Sequence, residues 1–297
     1  MRGNIRKGVE TMKKWSMIID VAKCHDCNNC FLACKDEHVD NDWPPYAAAQ
    51  PWHGHRWINI MRKERGQYPL VDVAYRPTPC MHCDDAPCIK AAKDGAAYKR
   101  EDGIVVIDPE KAKDQKALVD SCPFGAIWWN ADKAIPQKCT FCAHLLEDGW
   151  DKPRCVQACP TNALQMVHAN DTEMQKICET EKLEVLQPEL ATKPRVYYKN
   201  LYRYAKCFIG GSVALQDTDE CAEGAKVSLT KQSGDVTTTV VTNNYGDFKI
   251  DNLEENSGRY ALRIECAGYG IKTIEIDLTT SLSVGVIFLQ PMTRQNL

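Results

Sequence analysis

Hydrophobic positions along this chain fall into three regimes. From residue 16 to residue 168 the apolar runs are short and interrupted: 17–21 reads as a strand, 33–39 as a helical turn, and 103–109 as a compact strand stopped by Asp108-Pro109. Few segments reach the length of an ordinary core helix, so loops must carry much of the structure. From 169 to 194 the chain is polar and charged, with a helix predicted over 171–186 ahead of Pro188, and reads as a linker. From 195 onward the apolar period drops to two. Strands are expected at 196–198, 208–215, 225–229, 237–242, 247–250, 260–265, 272–278 and 284–289, separated by turn signals such as Asn243-Asn244-Tyr245-Gly246 and Ala267-Gly268-Tyr269-Gly270. Strands of this length and spacing predict a small antiparallel β-sandwich or barrel. The fold class is therefore α+β, with a flexible N-terminus at 1–15, a loop-rich domain at 16–168, a linker at 169–194 and a β domain at 195–297.

A chain of 297 residues with 44% hydrophobic content can bury two such cores. Its 37 basic and 40 acidic residues nearly balance, and no basic run is long enough to grip nucleic acid. The longest apolar stretch, 284–289, falls far short of the roughly 20 residues that cross a bilayer, so no direct membrane insertion is expected. The basic first fifteen residues lack an apolar core and a twin arginine, which makes a cytoplasmic location the expectation. Residues 41–57 carry Trp43, Trp52, Trp57, His53, His55 and Arg56, a composition that serves equally a docking surface and a cover that keeps water from a cofactor.

The chemistry lies in the cysteines, of which there are sixteen. Cys24-x2-Cys27-x2-Cys30-x3-Cys34 has the spacing of a bacterial ferredoxin run, in which three thiolates hold one cubane and the fourth reaches across to another. Its partner is Cys139-x2-Cys142-x12-Cys155-x3-Cys159-Pro160. Between them stand Cys80-x2-Cys83-x4-Cys88 and a lone Cys122-Pro123. Completing these two broken runs on the ferredoxin pattern would require cysteines at Ala92, Ala112, Gln115 and Leu118, and those four positions together make up the ligand set of one cluster. Crosswise sharing then leaves three 4Fe-4S clusters: a first set of Cys24, Cys27, Cys30 and Cys159, a second of Cys34, Cys139, Cys142 and Cys155, and a third of Cys80, Cys83, Cys88 and Cys122. Soft thiolates suit iron-sulfur iron, and the short spacings let one loop wrap several iron corners.

Zinc ribbons combine two C-x2-C pairs at longer separation, and thiols two residues apart bridge poorly, so neither zinc nor disulfides explain the runs. Cys178 reads as an ordinary thiol of the linker, and Cys207, Cys221 and Cys266 as small buried apolar residues of the β domain. No Ser/His/Asp arrangement, Walker loop or dinucleotide fingerprint stands in the required context, so no catalytic residue is assigned. His25 and His82 lie inside ligand loops, where hydrogen bonding toward a cluster and simple loop packing are both open.

The segments KCHDCNNCFLACKDEH, PTPCMHCDDAPCIKAA, DGIVVIDPEK with SCPFGAI, and PQKCTFC with CVQACPTNAL resemble the iron-sulfur subunits of the dimethyl sulfoxide reductase group of molybdenum and tungsten enzymes. The resemblance implies a ferredoxin-like, pseudo-twofold cluster-binding domain. It also implies a large catalytic partner carrying molybdenum on two pterin guanine dinucleotides, in a heterodimer or higher assembly. The usual member carries four clusters, and this chain departs from it at the four empty positions. That departure and the appended β domain resemble the transhydroxylases of the group, which implies hydroxyl transfer between polyhydroxybenzenes in the large subunit. The alternative is a relay subunit of a respiratory reductase or dehydrogenase. The tail segments EGAKVSLT, NNYGDFKIDNL and GRYALRIECAGYG are similar to transthyretin-like and other Ig-like modules.

Overall fold

A computed structural model describes residues 12–234 and 237–292. The described chain divides into two compact units, one of residues 12–61 and 75–201, the other of residues 62–74 and 202–292.

The first unit is organised on β1 (Lys14–Asp20), whose last five residues are all buried. It follows that residues 14 and 15 of the expected flexible N-terminus are strand, while residues 1–11 lie outside the described residues. After β1 come α1 (Asn29–His38) and the long hairpin of β2 (Ile58–Gln67) and β3 (Leu70–Pro79), of which residues 62–74 belong to the second unit. Next are α2 (Pro87–Ala91), the short hairpin of β4 (Ala97–Lys99) and β5 (Val105–Ile107), and a second one of β6 (Trp128–Asn130) and β7 (Ile135–Gln137). Two helical turns, α3 (Ala143–Glu147) and α4 (Arg154–Gln157), precede β8 (Leu164–Ala169). β1 is the centre of a three-stranded sheet and pairs antiparallel with β8, where Trp15 stacks on its cross-strand partner His168 at 4.1 Å between ring centroids.

The predicted linker helix forms as α5 (Asp171–Glu181), shorter than expected at its C-terminal end and started by a capping box of Asn170 and Glu173. Beyond it, β9 (Val196–Lys199) pairs parallel to β1, with Met17 opposite Val196. The boundary at 194/195 is corrected accordingly. Residues 195–201 complete the sheet of the first unit, because a buried β1 needs its second edge satisfied.

The second unit opens with a helical turn, α6 (Tyr202–Ala205), and β10 (Cys207–Leu215). There follow β11 (Lys226–Lys231), β12 (Thr237–Val241), β13 (Asp247–Leu253), β14 (Gly258–Glu265), β15 (Lys272–Leu278) and β16 (Leu282–Leu289). One sheet has the order β13-β10-β16 and the other β12-β11-β14-β15. Alternate residues of both, among them Ile209, Val213, Val227, Leu229, Ile250, Leu262, Ile264 and Leu289, enter one core, which makes a β-sandwich. The antiparallel expectation holds for each of these pairs except β10 with β16, which run parallel. The turn predicted at 243–246 depends on Gly246 (φ +73), where a Cβ would stand 2.3 Å from the carbonyl oxygen of Val213. Cys207 is buried in the sandwich, but Cys221 is exposed and Cys266 half-buried, so the expectation for those two is corrected.

Candidate cluster site

Three of the four C-x2-C pairs, Cys24–Cys27, Cys80–Cys83 and Cys139–Cys142, sit on the same local turn. The residue before the second cysteine has left-handed backbone at Asp26 (φ 56), His82 (φ 45) and Phe141 (φ 53). Such a conformation costs roughly 1–3 kcal/mol for a non-glycine residue and persists where surrounding structure fixes it. Its effect is to turn a backbone N–H onto the first sulfur: His82 N lies 3.5 Å from Cys80 Sγ, Phe141 N lies 3.4 Å from Cys139 Sγ, and the Asp26 N–H meets Cys24 in the same way. Cys30 and Cys34 are i, i+4 on α1 and both buried, so they share one helical face. Cys88 stands on α2 behind Pro87, and Cys155 on α4. The N–H groups of Phe124 and Ala126 meet Cys122.

These turns gather the twelve thiols into three neighbourhoods. Cys30 has Cys24, Cys159 and Cys27 as its charged neighbours. Cys155 has Cys142, Cys139 and Cys34. Cys83 has Cys80, Cys122 and Cys88. For Cys30, Cys155 and Cys83 the leading sulfur neighbours are those that the spacing groups with each. Two neighbour relations cross between sets, Cys155 with Cys30 and Cys139 with Cys80, which puts the second set between the other two. All four thiols of the second set are buried, whereas Cys27 is exposed and Cys24, Cys159 and Cys122 are half-buried. The row therefore has a dry middle and a first set that meets the surface.

Burial, followed by repulsion from neighbouring sulfurs, pushes the Cys30 and Cys83 thiols up to about 12. Cys34 and Cys155 are driven well above the ordinary thiol value for the same reasons. A cage of this kind gives up its protons only to a cationic guest, as a metal-binding set must. Among the described residues no three His, Cys, Asp or Glu side chains converge on a single-ion site.

The four positions that lack cysteine are filled in another way. Ala112 and Leu118 are buried. Gln115 acts as a clamp: its Oε1 accepts from Lys93 N at 3.0 Å, while its Nε2 donates to the carbonyls of Lys93 at 3.3 Å and Lys111 at 2.8 Å. Its side chain thereby joins the loop after α2, next to Ala92, to the turn that holds Ala112. Gln115→Ala removes these three bonds and is expected to lower thermal stability by about 1–3 kcal/mol. Iron content should stay unchanged, and loss of iron in this variant would contradict a purely structural clamp.

The insertion at 41–57 divides between buried and exposed aromatic rings. Trp57 is buried against His38, with ring centroids 4.7 Å apart, and Trp43 stacks on His144 at 4.1 Å, while Trp52 stays 68% exposed. His38 Nε2 lies 3.8 Å from Cys142 Sγ, and burial, then the nearby His144, lowers its pKa to about 3, so its ring is neutral. His144 in turn meets Glu37 at 2.8 Å. His53 is exposed and His55 Nε2 contacts the Trp129 carbonyl at 2.9 Å. Neither joins a metal-binding group. His25 is exposed. His82 is fully buried, its Nδ1 accepts from Val105 N at 3.0 Å, and its ring lies 3.8 Å from that of Phe141. That bond leaves the imidazole proton on Nε2. His38 escaped sequence reasoning because nothing in the local pattern marks a side chain that meets a thiol far along the chain.

Thiols gathered on ferredoxin-like turns mark an iron-sulfur protein. Residues 71–169 match the family model of a 4Fe-4S dicluster domain, and residues 209–288 that of a carboxypeptidase regulatory-like domain. The pyrogallol hydroxytransferase small subunit of Pelobacter acidigallici is 49% identical over 282 residues, covering 94% of this chain and all of that protein. The arsenate respiratory reductase iron-sulfur subunit of Shewanella sp. (strain ANA-3) is 29% identical over 61% of this chain and 94% of its own length. A sulfite dehydrogenase subunit from Allochromatium vinosum is 31% identical over 63% of this chain and 83% of its own. The chain belongs to the iron-sulfur subunits of the dimethyl sulfoxide reductase group, and over nearly its whole length it is similar to the small subunit of pyrogallol hydroxytransferase. It is the non-catalytic, electron-transferring member of such a complex. No helix among the described residues is long and apolar enough to cross a membrane.

Proposed function

We propose that this chain is the electron-transfer subunit of a cytoplasmic molybdenum hydroxytransferase that converts pyrogallol to phloroglucinol with a tetrahydroxybenzene as cosubstrate. Its twelve cysteines hold three 4Fe-4S clusters, in the first, second and third sets named above. What supports the ligand reading is that the leading sulfur neighbours of Cys30, Cys155 and Cys83 are those their spacing groups with them, beside a fourth position taken by Ala92, Ala112, Gln115 and Leu118. The 49% identity to a pyrogallol hydroxytransferase small subunit supports the substrate class. The catalytic centre, molybdenum on two pterin guanine dinucleotides, belongs to a large partner subunit. Equivalent turns at Cys80 and Cys139 support a ferredoxin-like pseudo-twofold for the first unit, and the sandwich supports an Ig-like or transthyretin-like second unit.

When bound, the clusters supply reversible one-electron storage. The chain's residues keep the second set dry, aim N–H groups at the sulfurs, and leave the first set at the surface where a partner can meet it. Hydroxyl transfer between two polyhydroxybenzenes has no net electron demand, so the row serves activation and redox equilibration of the partner and is not consumed in turnover. The similarity to respiratory reductase and dehydrogenase subunits favours a second reading, a relay in a reductase. Anaerobic purification of the native complex separates the two. The expected result is pyrogallol conversion, with about twelve iron atoms assignable to this chain. Sixteen would refute the vacant fourth site, and oxyanion reduction without pyrogallol conversion would establish the relay.

A further inference from the structure

The first unit buries an ammonium that has no carboxylate. Lys138, directly before Cys139, is 2% exposed, and its Nζ donates to the carbonyl of Val105 and, at 3.0 Å, to that of Cys139. Its neighbours are differently supplied: Lys99 reaches Asp84 at 2.9 Å, and Arg195 reaches both Asp84 and Asp171 at 2.7 Å. Among the described residues no carboxylate pairs with Lys138. Carbonyl dipoles satisfy its hydrogen bonds but do not cancel its charge, and an uncompensated charge in a dry interior is among the more expensive things a fold can hold. Its two acceptors tie two ligand loops together: Cys139 belongs to the second set, and Val105, whose N–H donates to His82 Nδ1 at 3.0 Å, holds the Cys80–Cys83 loop of the third. Among the described residues no hydrogen bond joins Lys138 to the Cys24–Cys30 loop of the first set.

We propose that Lys138 is the shared counter-charge of the second and third cysteine sets, and that it raises the reduction potential of the groups bound there while leaving the first set alone. The inference rests on the ligand reading above. Four thiolates carry more negative charge than an iron-sulfide core cancels, and reduction adds one electron more, so a fixed cation nearby favours the reduced form. Lys138 would act as a positioning charge, touching backbone and not iron. A gradient along the row follows, in which electrons arriving at the first set run toward the second and third.

Redox titration of the anaerobically purified complex, followed by cluster paramagnetic resonance and paired with iron analysis, tests this in Lys138→Gln and Lys138→Arg. The glutamine variant keeps a donor and drops the charge. It should shift the reduction equilibria of two clusters at least tenfold toward the oxidised form, about 59 mV for a one-electron couple, and move the third cluster by less than about threefold. The arginine variant should stay within about threefold of the native protein on all clusters. If the glutamine variant loses iron while the arginine variant keeps it, the need for charge is upheld. The proposal is overturned if the glutamine variant leaves all potentials in place, if all three clusters shift alike, or if both variants lose iron or shift equally. A native complex with fewer than three clusters would remove the ligand reading itself, and this inference with it.

Discussion

Exchanging Cys34 for alanine will lower the iron bound by this chain from about twelve atoms to about eight and remove one paramagnetic signal. The reason lies in the burial of the second set. Cys34 is buried between Cys139 and Cys142, and the buried Gln50 donates to its sulfur at 3.6 Å. With Cys34 gone, Cys139, Cys142 and Cys155 have one fewer cationic attachment between them, and burial returns them to protonated thiols. Because Cys155 neighbours Cys30 and Cys139 neighbours Cys80, the same change cuts the row in its middle. Partial reduction should then leave the first and third sets out of equilibrium with each other. Cys178→Ser is the control, since the charged neighbour of that thiol is Glu179 and it has no thiol partner. Full iron in the Cys34 variant would overturn the crosswise sharing of ligands, as would iron loss in the control.

The cluster unit was legible in the sequence because ligand chemistry forces both residue type and spacing. Cysteines two or three residues apart are constrained by one loop, and the wiring between loops follows from a rule that concerns the cluster and not the fold. The sandwich strands were legible because one face of each is buried, so that β11, β13, β14 and β15 announce themselves by alternation. What stayed hidden depended on partners far away in sequence. β9 has the same apolar alternation as the strands of the sandwich, and only its register against β1 decides which sheet it joins. The left-handed conformations of His82 and Phe141 carry no glycine to signal them. The β2–β3 hairpin carries Arg62-Lys63-Glu64-Arg65, which has the composition of a solvated charge run, yet Arg65 is interior.

That arginine sets the largest stability effect expected in the second unit, to which residues 62–74 of the hairpin belong. Its side chain is 3% exposed, and its guanidinium takes Asp251 with both nitrogens at 2.8 and 2.9 Å, Asp72 at 2.6 Å and the Lys206 carbonyl at 3.0 Å. Lys249 also pairs with Asp72 at 2.7 Å, and both cations face the Phe208 ring. The hairpin is held close by Gly66 (φ +86), where a Cβ would stand 2.8 Å from Phe208. Burial alone would raise the Asp72 carboxyl, but Lys249 and Arg65 outweigh it and hold it at about 2. Arg65→Ala leaves Asp72 to Lys249 and Arg203, and Asp251 to Lys249 at 3.2 Å, so the cost lies toward the low side of the about 3–5 kcal/mol that breaking a buried pair brings. Partial exposure of Asp72 and Asp251 puts the expectation at the lower end, about 3 kcal/mol. Amide exchange in β10 and β13 should therefore speed up roughly a hundredfold, while β1 and β8 keep their protection. Arg65→Lys keeps the charge and loses the two-pronged geometry, so it should fall between native and alanine. The sign with pH follows from the depressed carboxyl. The contribution of Asp72 is complete above its unfolded value of 3.8 and fades as pH falls toward 2, and the alanine variant, in which Lys249 and Arg203 still pair with Asp72, should show that acid dependence weakened and not abolished. Unchanged exchange in β10 and β13 of the alanine variant would show that the hairpin is held by its apolar contacts and not by this charge cluster.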